Sequence, residues 1–284
     1  MLSYVYVVLA ALLWSFNPAV IQRFGRGLGA ITITVFRAAA ALILLAPLAI
    51  LKNAQNFLNT YAILLAVASA VVGPAIGDAA YAKAIQLAGG SLAVIVSYTY
   101  MFVAQAFATL LGEVIGIATG VGSALAFLGI VIALSGKDFG KAKLRGILYA
   151  AIASISWGIG SAIIKPVTAL ADPLVIAVIR LATVLTTLLP IAIAFERKGL
   201  ENGYWNLAIV SVTTGVLGWG IGMYLFLYSI ALIGVSKTVL ATALTPVLSQ
   251  LIIRLITKDK VRLRNIAGAI LVATGIAISA HQPT

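Results

Sequence analysis

Ten apolar runs divide the chain almost from end to end, at residues 3–22, 30–51, 61–83, 90–111, 115–135, 145–164, 173–195, 205–231, 235–256 and 264–280. A bilayer core about 30 Å thick is crossed by roughly 20 apolar residues in a helix. The runs are continuous and rich in Ala, Leu and Ile, whereas barrel strands would alternate over about ten residues. An open sheet edge in lipid would also leave backbone groups unsatisfied. The expected fold class is therefore an all-α integral membrane protein with ten transmembrane helices. With 62% hydrophobic and 9% charged residues, the chain is too apolar for a soluble globule. It leaves only short loops and no room for a separate soluble catalytic domain. There is no Cys, and the single His is His281, so thiol catalysis, disulfides and a His or Cys metal cluster are excluded. No metal and no cofactor are expected. The first run has no basic leader and no small-residue cleavage signal, so it reads as a retained helix.

The two halves repeat each other. Trp14 and Trp157 lie 143 positions apart, as do Arg37 and Arg180, and Pro47 and Pro190. The offset then becomes 145 for Gly73 and Gly218, Gly77 and Gly222, Ile85 and Ile230, Gly89 and Gly234, Ser91 and Ser236, and Gln105 and Gln250. It becomes 146 for Gly122 and Gly268 and for Gly129 and Gly275. Such drift is what small loop insertions produce. Each copy holds five spans, an odd number, so the second begins on the opposite side of the membrane. The expected organisation is two inverted five-helix repeats, residues 1–136 and 137–284. Secondary transporters are built this way, with the substrate path between the repeats.

The formal net charge of +12 does not point to nucleic acid, because the basic residues sit between apolar spans rather than on a solvated face. Numbering the loops in order, the odd ones carry fourteen Lys and Arg residues and the even ones only Lys52, Lys165 and Lys237. The positive-inside bias then places the odd loops in the cytoplasm of a cell (plasma) membrane protein and both termini outside. The basic runs at 137–145 and 258–264 read as topology signals and contacts to anionic lipid.

Several of these segments resemble a known family. "LLWSFNP" around Trp14 and "SWGIG" around Trp157, "VFRAA" around Arg37 and "VIRLA" around Arg180, "LLGE" ending at Glu113, and "TALTPVLSQLI" around Pro246 are similar to drug/metabolite transporters of the ten-helix EamA type. The resemblance covers nearly the whole chain. It implies a basket of ten helices around a central cavity and movement of a small metabolite by alternating access. It also implies termini on the inside, opposite to the charge count, and we follow the charge count. The second copy departs from the family with "ITKDK" near Lys258, where a second GE ending is usual.

Asp78 is the only acidic residue inside a span, and its repeat mate is Met223. A charged carboxylate in lipid is costly, so it faces a cavity or a partner. It would hold a cationic or amine-bearing substrate, take up and release a coupling proton, or pair with Arg37 or Lys83. Trp14 and Trp157 sit mid-span rather than in an interfacial belt, and their indoles would stack on a planar substrate or enclose an ammonium group, or simply pack. Tyr98, Met101 and Gln105 lie at i, i+3 and i+7 and so share one helix face. Gln105 and Gln250 would bind substrate or join helices. Trp219, Met223 and Phe226 form one face, and Tyr224 and Tyr228 another. Tyr81, one turn beyond Asp78, completes the candidate substrate-binding set of Trp14, Asp78, Tyr81, Tyr98, Gln105, Trp157, Trp219, Tyr224 and Gln250. Arg37 and Arg180 read as structural cations, with an anion clamp as the alternative. Gly73 with Gly77, and Gly218 with Gly222, read as packing surfaces, and Pro74 and Pro246 as kinks. Glu113 reads as a solvated or loop-pairing residue.

The partners expected are a small-molecule substrate, membrane lipids and, as a coupling ion, protons. The function expected is secondary transport of a small polar or amphipathic metabolite such as an amino acid or amine. The alternative is export of drugs or lipophilic cations. An intramembrane enzyme is disfavoured because no nucleophile–base pair or metal set is visible. A passive channel is the remaining class.

Overall fold

The computed structural model describes residues 2–52, 59–134, 144–196, 203–257 and 263–281. Of the two basic runs, residues 137–143 and 258–262 lie outside the described residues, as do Arg197, Lys198 and the last three residues of "ITKDK".

All described secondary structure is helical. The first repeat comprises α1 (Leu2–Trp14), α2 (Asn17–Phe24), α3 (Ala30–Leu51), α4 (Thr60–Ala70), α5 (Gly77–Ala88), α6 (Gly90–Ser97), α7 (Tyr100–Leu110) and α8 (Ile117–Leu134). The second comprises α9 (Leu144–Thr168), α10 (Pro173–Phe195), α11 (Tyr204–Val210), α12 (Met223–Ala241), α13 (Leu244–Thr257) and α14 (Leu263–Ala280). Among the described residues, seven segments are long and apolar enough to cross a membrane, and two shorter helices are also apolar. One of the seven, Tyr204–Ala241, is two spans that meet at Gly234, whose φ of 79° breaks the helix. Gly89, its repeat mate, does the same at φ 81° between α5 and α6.

The sequence suggested unbroken spans, and several are interrupted. Residues 3–22 break between α1 and α2, just before Pro18, where the ring cannot donate a backbone hydrogen bond. The fourth span of each repeat breaks within one residue of the equivalent place, at Tyr98–Thr99 and Thr242–Ala243. There the hydroxyls of Thr99 and Thr242 bond back to the carbonyls of Val96 and Val239. The third spans carry π-helical turns at Val71–Ile76 and Ser211–Gly222. Such turns are uncommon and concentrate at functional sites, and these two overlap at repeat-equivalent positions.

Glycine pairs let the repeats meet. A Cβ on Gly122 would sit 2.4 Å from the carbonyl oxygen of Gly275, and one on Gly129 would sit 2.6 Å from that of Gly268. The earlier residue of α8 therefore meets the later residue of α14. These equivalent helices run antiparallel, as inversion of the repeats requires.

Polar caps tie the repeats at their ends. Asp172 caps α10 through Leu174 N at 2.8 Å and pairs with Lys52 at 2.6 Å. Its repeat mate is Gly29, which has no side chain to cap α3. Glu196 supplies the missing acceptor, taking hydrogen bonds from Thr32 N at 2.7 Å and Ile31 N at 3.3 Å. Of the two readings of Glu113, pairing holds and solvation does not. It accepts from Ser236 N at 2.8 Å, Val235 N at 3.0 Å and the Lys165 ammonium at 2.6 Å. It thereby caps the helix that restarts after Gly234. At the equivalent restart, Gln22 accepts from Gly90 N at 3.1 Å, and Gln22 is the repeat mate of Lys165.

Candidate functional site between the repeats

A cavity of about 90 Å³ lies where the two repeats face each other. Its walls come from both: Trp14, Asn17, Asp78, Tyr81, Tyr98 and Tyr100 from the first, and Trp157, Arg180, Trp219, Met223 and Phe226 from the second. The π-helical turn at Val71–Ile76 brings Gly73 and Pro74 to the same wall.

Each repeat tryptophan rests on a glycine of the opposite repeat. A Cβ on Gly77 would fall 2.6 Å from the Trp157 ring, and one on Gly222 would fall 2.7 Å from Trp14 Nε1. The ring partners are also equivalent. Trp157 meets Tyr81 edge-on at 4.8 Å between centroids, and Trp14 meets Phe226 at 5.2 Å. The GxxxG pairs are thus seats for indoles as well as helix-packing surfaces.

The two indole N–H groups differ in what they reach. Trp14 donates to the Gly218 carbonyl at 2.7 Å, whereas Trp157 donates to Asp78 Oδ2 at 2.9 Å. Asp78 Oδ1 accepts from Arg37 at 3.3 Å and from Trp219 Nε1 at 3.2 Å. The Arg37 guanidinium also lies over the Trp219 ring at 4.7 Å and is 1% exposed. Of the partners suggested by the sequence, Arg37 makes the ion pair. Asp78 therefore gathers donors from both repeats and is not an open anionic site.

Arg180 has the opposite character. It is 6% exposed and donates to Ser69 Oγ at 2.7 Å, while Ser69 donates to the Gly160 carbonyl at 2.7 Å. Its Nε, like that of Arg37, has no hydrogen-bond partner. Among the described residues, no carboxylate lies within ion-pair distance of it.

Of the nine residues proposed from sequence, Trp14, Asp78, Tyr81, Tyr98, Trp157 and Trp219 come together at this cavity. Gln105, Tyr224 and Gln250 are not among its lining residues. The break at Tyr98–Thr99 destroys the single face assumed for Tyr98 and Gln105. The Gln105 amide instead donates to Ser123 Oγ at 2.6 Å and the Ser236 carbonyl at 3.3 Å, joining three helices. Tyr224 stacks on Tyr228 at 6.1 Å, so the Trp219, Met223 and Phe226 face is the one that lines the cavity. Gln250 is buried in α13.

Asn17 and Tyr100 were missed. Asn17 faces Gly218 across a repeat junction, and its repeat mate is Gly160, a pairing too unlike to notice. Tyr100 shares a hydrogen bond with Thr242 Oγ1 across the two broken fourth spans. Only the breaks, invisible to hydropathy, bring that pair together.

Comparison with known proteins supports the same architecture. An "Uncharacterized transporter" of Archaeoglobus fulgidus is 21% identical over 284 residues, covering 100% of this chain and 99% of the relative. A solved crystal structure, 20% identical, superposes with a TM-score of 0.80 over 98% of both chains and shows the shared fold. The EamA-like transporter family model matches twice, at residues 1–135 and 144–280. The chain is a multi-pass membrane protein, a transporter rather than an enzyme, and it belongs to the EamA-like transporter family of the drug/metabolite transporter superfamily.

Proposed function

We propose that the chain is a secondary carrier for a small polar or amphipathic metabolite, working by alternating access at the cavity between its repeats. The observation that carries this reading is the cavity itself, walled by both repeats and bordered by paired indoles seated on opposing glycines. Inverted repeats with a site at their interface suit exchange between two arrangements related by a pseudo-two-fold axis. Asp78 would act as a lock in the arrangement described, joining Arg37 of its own repeat to Trp157 and Trp219 of the other. Opening one side requires these bonds to part, and a proton arriving at Asp78 would weaken them. Protons are thus the proposed coupling ion.

Export of lipophilic cations is less well supported, because the one carboxylate in the cavity already holds three donors. The proposed location is the plasma membrane with the odd loops cytoplasmic and both termini outside. The chain contains no Cys, so single cysteines at exposed Arg26 and Val114 report the two faces cleanly. An impermeant thiol reagent added to whole cells is expected to label Val114→Cys and spare Arg26→Cys; the reverse pattern contradicts the orientation.

Counterflow tests the carrier reading. Proteoliposomes preloaded with unlabelled metabolites are offered the same labelled compounds, in a panel of amino acids, amines and organic acids. A carrier shows saturable uptake accelerated by preloading. Uptake that rises linearly with concentration and ignores the preload indicates a channel.

A further inference from the structure

We infer that Arg180 is the docking point for a carboxylate of the transported molecule, so that the cargo is a small organic acid rather than an amine. The inference rests on the carrier reading above and names the cargo's chemistry. Its basis is a broken symmetry. Arg37 and Arg180 are repeat mates, and both are buried at the repeat junction. In the first repeat the arginine has a carboxylate, Asp78, at 3.3 Å. In the second repeat the position equivalent to Asp78 is Met223, which lines the cavity together with Arg180. The second ion pair lacks its anion.

The remaining groups agree. Arg180 has five N–H donors, and its bonds to described residues reach only Ser69, with Nε unpaired. A buried, unmatched guanidinium is costly, and a bidentate carboxylate is the partner its geometry fits best. Gly73 leaves the space: a Cβ there would approach Arg180 Nη2 to 3.3 Å. Asp78 makes no hydrogen bond to Arg180: its bonds go to Arg37, Trp157 and Trp219, and it acts on Arg180 only as a nearby charge. Counting Asp78, Arg37 and Arg180, the cavity carries one net positive charge, which a monoanion neutralises and an amine would double. A second vacancy, the buried Oδ1 of Asn17, lines the same cavity and accepts a hydrogen bond from a hydroxyl or ammonium group. Trp14, Met223 and Phe226 offer the apolar surface for the rest of the molecule.

Four near-isosteric probes separate the possibilities: propionate, lactate, propionamide and propylamine. Binding is read from quenching of the cavity tryptophans in the purified chain and from the thermal-unfolding midpoint. Expected is binding of propionate at least about tenfold tighter than propionamide, the ratio typical of a charge-assisted bond. Lactate should bind more tightly still, through Asn17. Arg180→Gln should abolish the preference for propionate over propionamide, and Arg180→Lys should keep it in part. The wild-type ranking decides the question even where a variant fails to fold. Equal binding of propionate and propionamide, or tighter binding of propylamine, overturns the assignment while leaving counterflow of another cargo intact. Absence of binding by all four also overturns it, and the counterflow panel then judges the carrier reading independently.

Discussion

Asp78 and Arg180 show how two charges in one cavity take different roles. Asp78 is bound by Arg37 and two indoles, so replacing it removes the anion paired with a buried guanidinium. Asp78→Asn is expected to destabilise the protein by about 3–5 kcal/mol, the range for breaking a buried pair from one side. Thermal unfolding in detergent measures this. Arg37→Met combined with Asp78→Asn should recover part of the loss, because no lone charge remains; a double variant no more stable than Asp78→Asn would argue that the pair is not the source. Asp78 was visible in the sequence because a carboxylate within an apolar run is conspicuous. Its partners were not. Trp219 lies 141 residues away, and only the crossing of the repeats brings it near. Arg180 was legible as the mate of Arg37, but its lack of a carboxylate became evident only when Asp78 was seen to face the other arginine.

The helix ends carry a second set of bonds between the repeats. Glu196 occupies the space that a side chain on Gly29 would fill: a Cβ there would lie 1.9 Å from Glu196 Oε2. Removing this cap by Glu196→Ala should cost about 1 kcal/mol, read as a lower unfolding midpoint. An unchanged midpoint would show that water replaces it. Glu113 gives a pH-dependent counterpart. Burial raises its pKa, but bonds from Lys165, Ser236 and Val235 outweigh burial and hold it below the ordinary carboxylate value. Its contribution to stability is therefore complete above the unfolded-state value, about 4.3, and is lost as pH falls through the lower folded-state value. Glu113→Gln should flatten the acid side of the stability profile relative to wild type; an identical acid limb in both would contradict the cap. The spans themselves were legible, because only helices satisfy backbone groups in lipid. The breaks at Tyr98–Thr99 and Thr242–Ala243 were not, since Thr, Tyr and Ala do not interrupt hydropathy. Gln105 was placed beside Tyr98 by a helical period that the first break resets, and Gln250 only by its match to Gln105.

For the molecule as a whole, the repeat offsets of 143, 145 and 146 already contained the architecture. What they concealed is that equivalent residues seldom touch each other. Trp14 seats on Gly222 and Trp157 on Gly77, so each repeat completes the other's half of the cavity. Alternating access would exchange these two sets of contacts, which demands that the repeats move relative to one another. A cross-link between Gly29 and Glu196 tests that movement. The Glu196 Cβ lies 2.7 Å from the place a Gly29 Cβ would occupy, so Gly29→Cys with Glu196→Cys joins α3 of one repeat to the end of α10 of the other after only a slight separation. The cysteine-free background makes the bond unique. Counterflow of a cargo that the wild-type protein exchanges is then compared in the oxidised and reduced double variant. Loss of exchange on oxidation, restored by reductant, is the result expected of a carrier whose repeats must part. Exchange at the reduced rate in fully oxidised protein would contradict it.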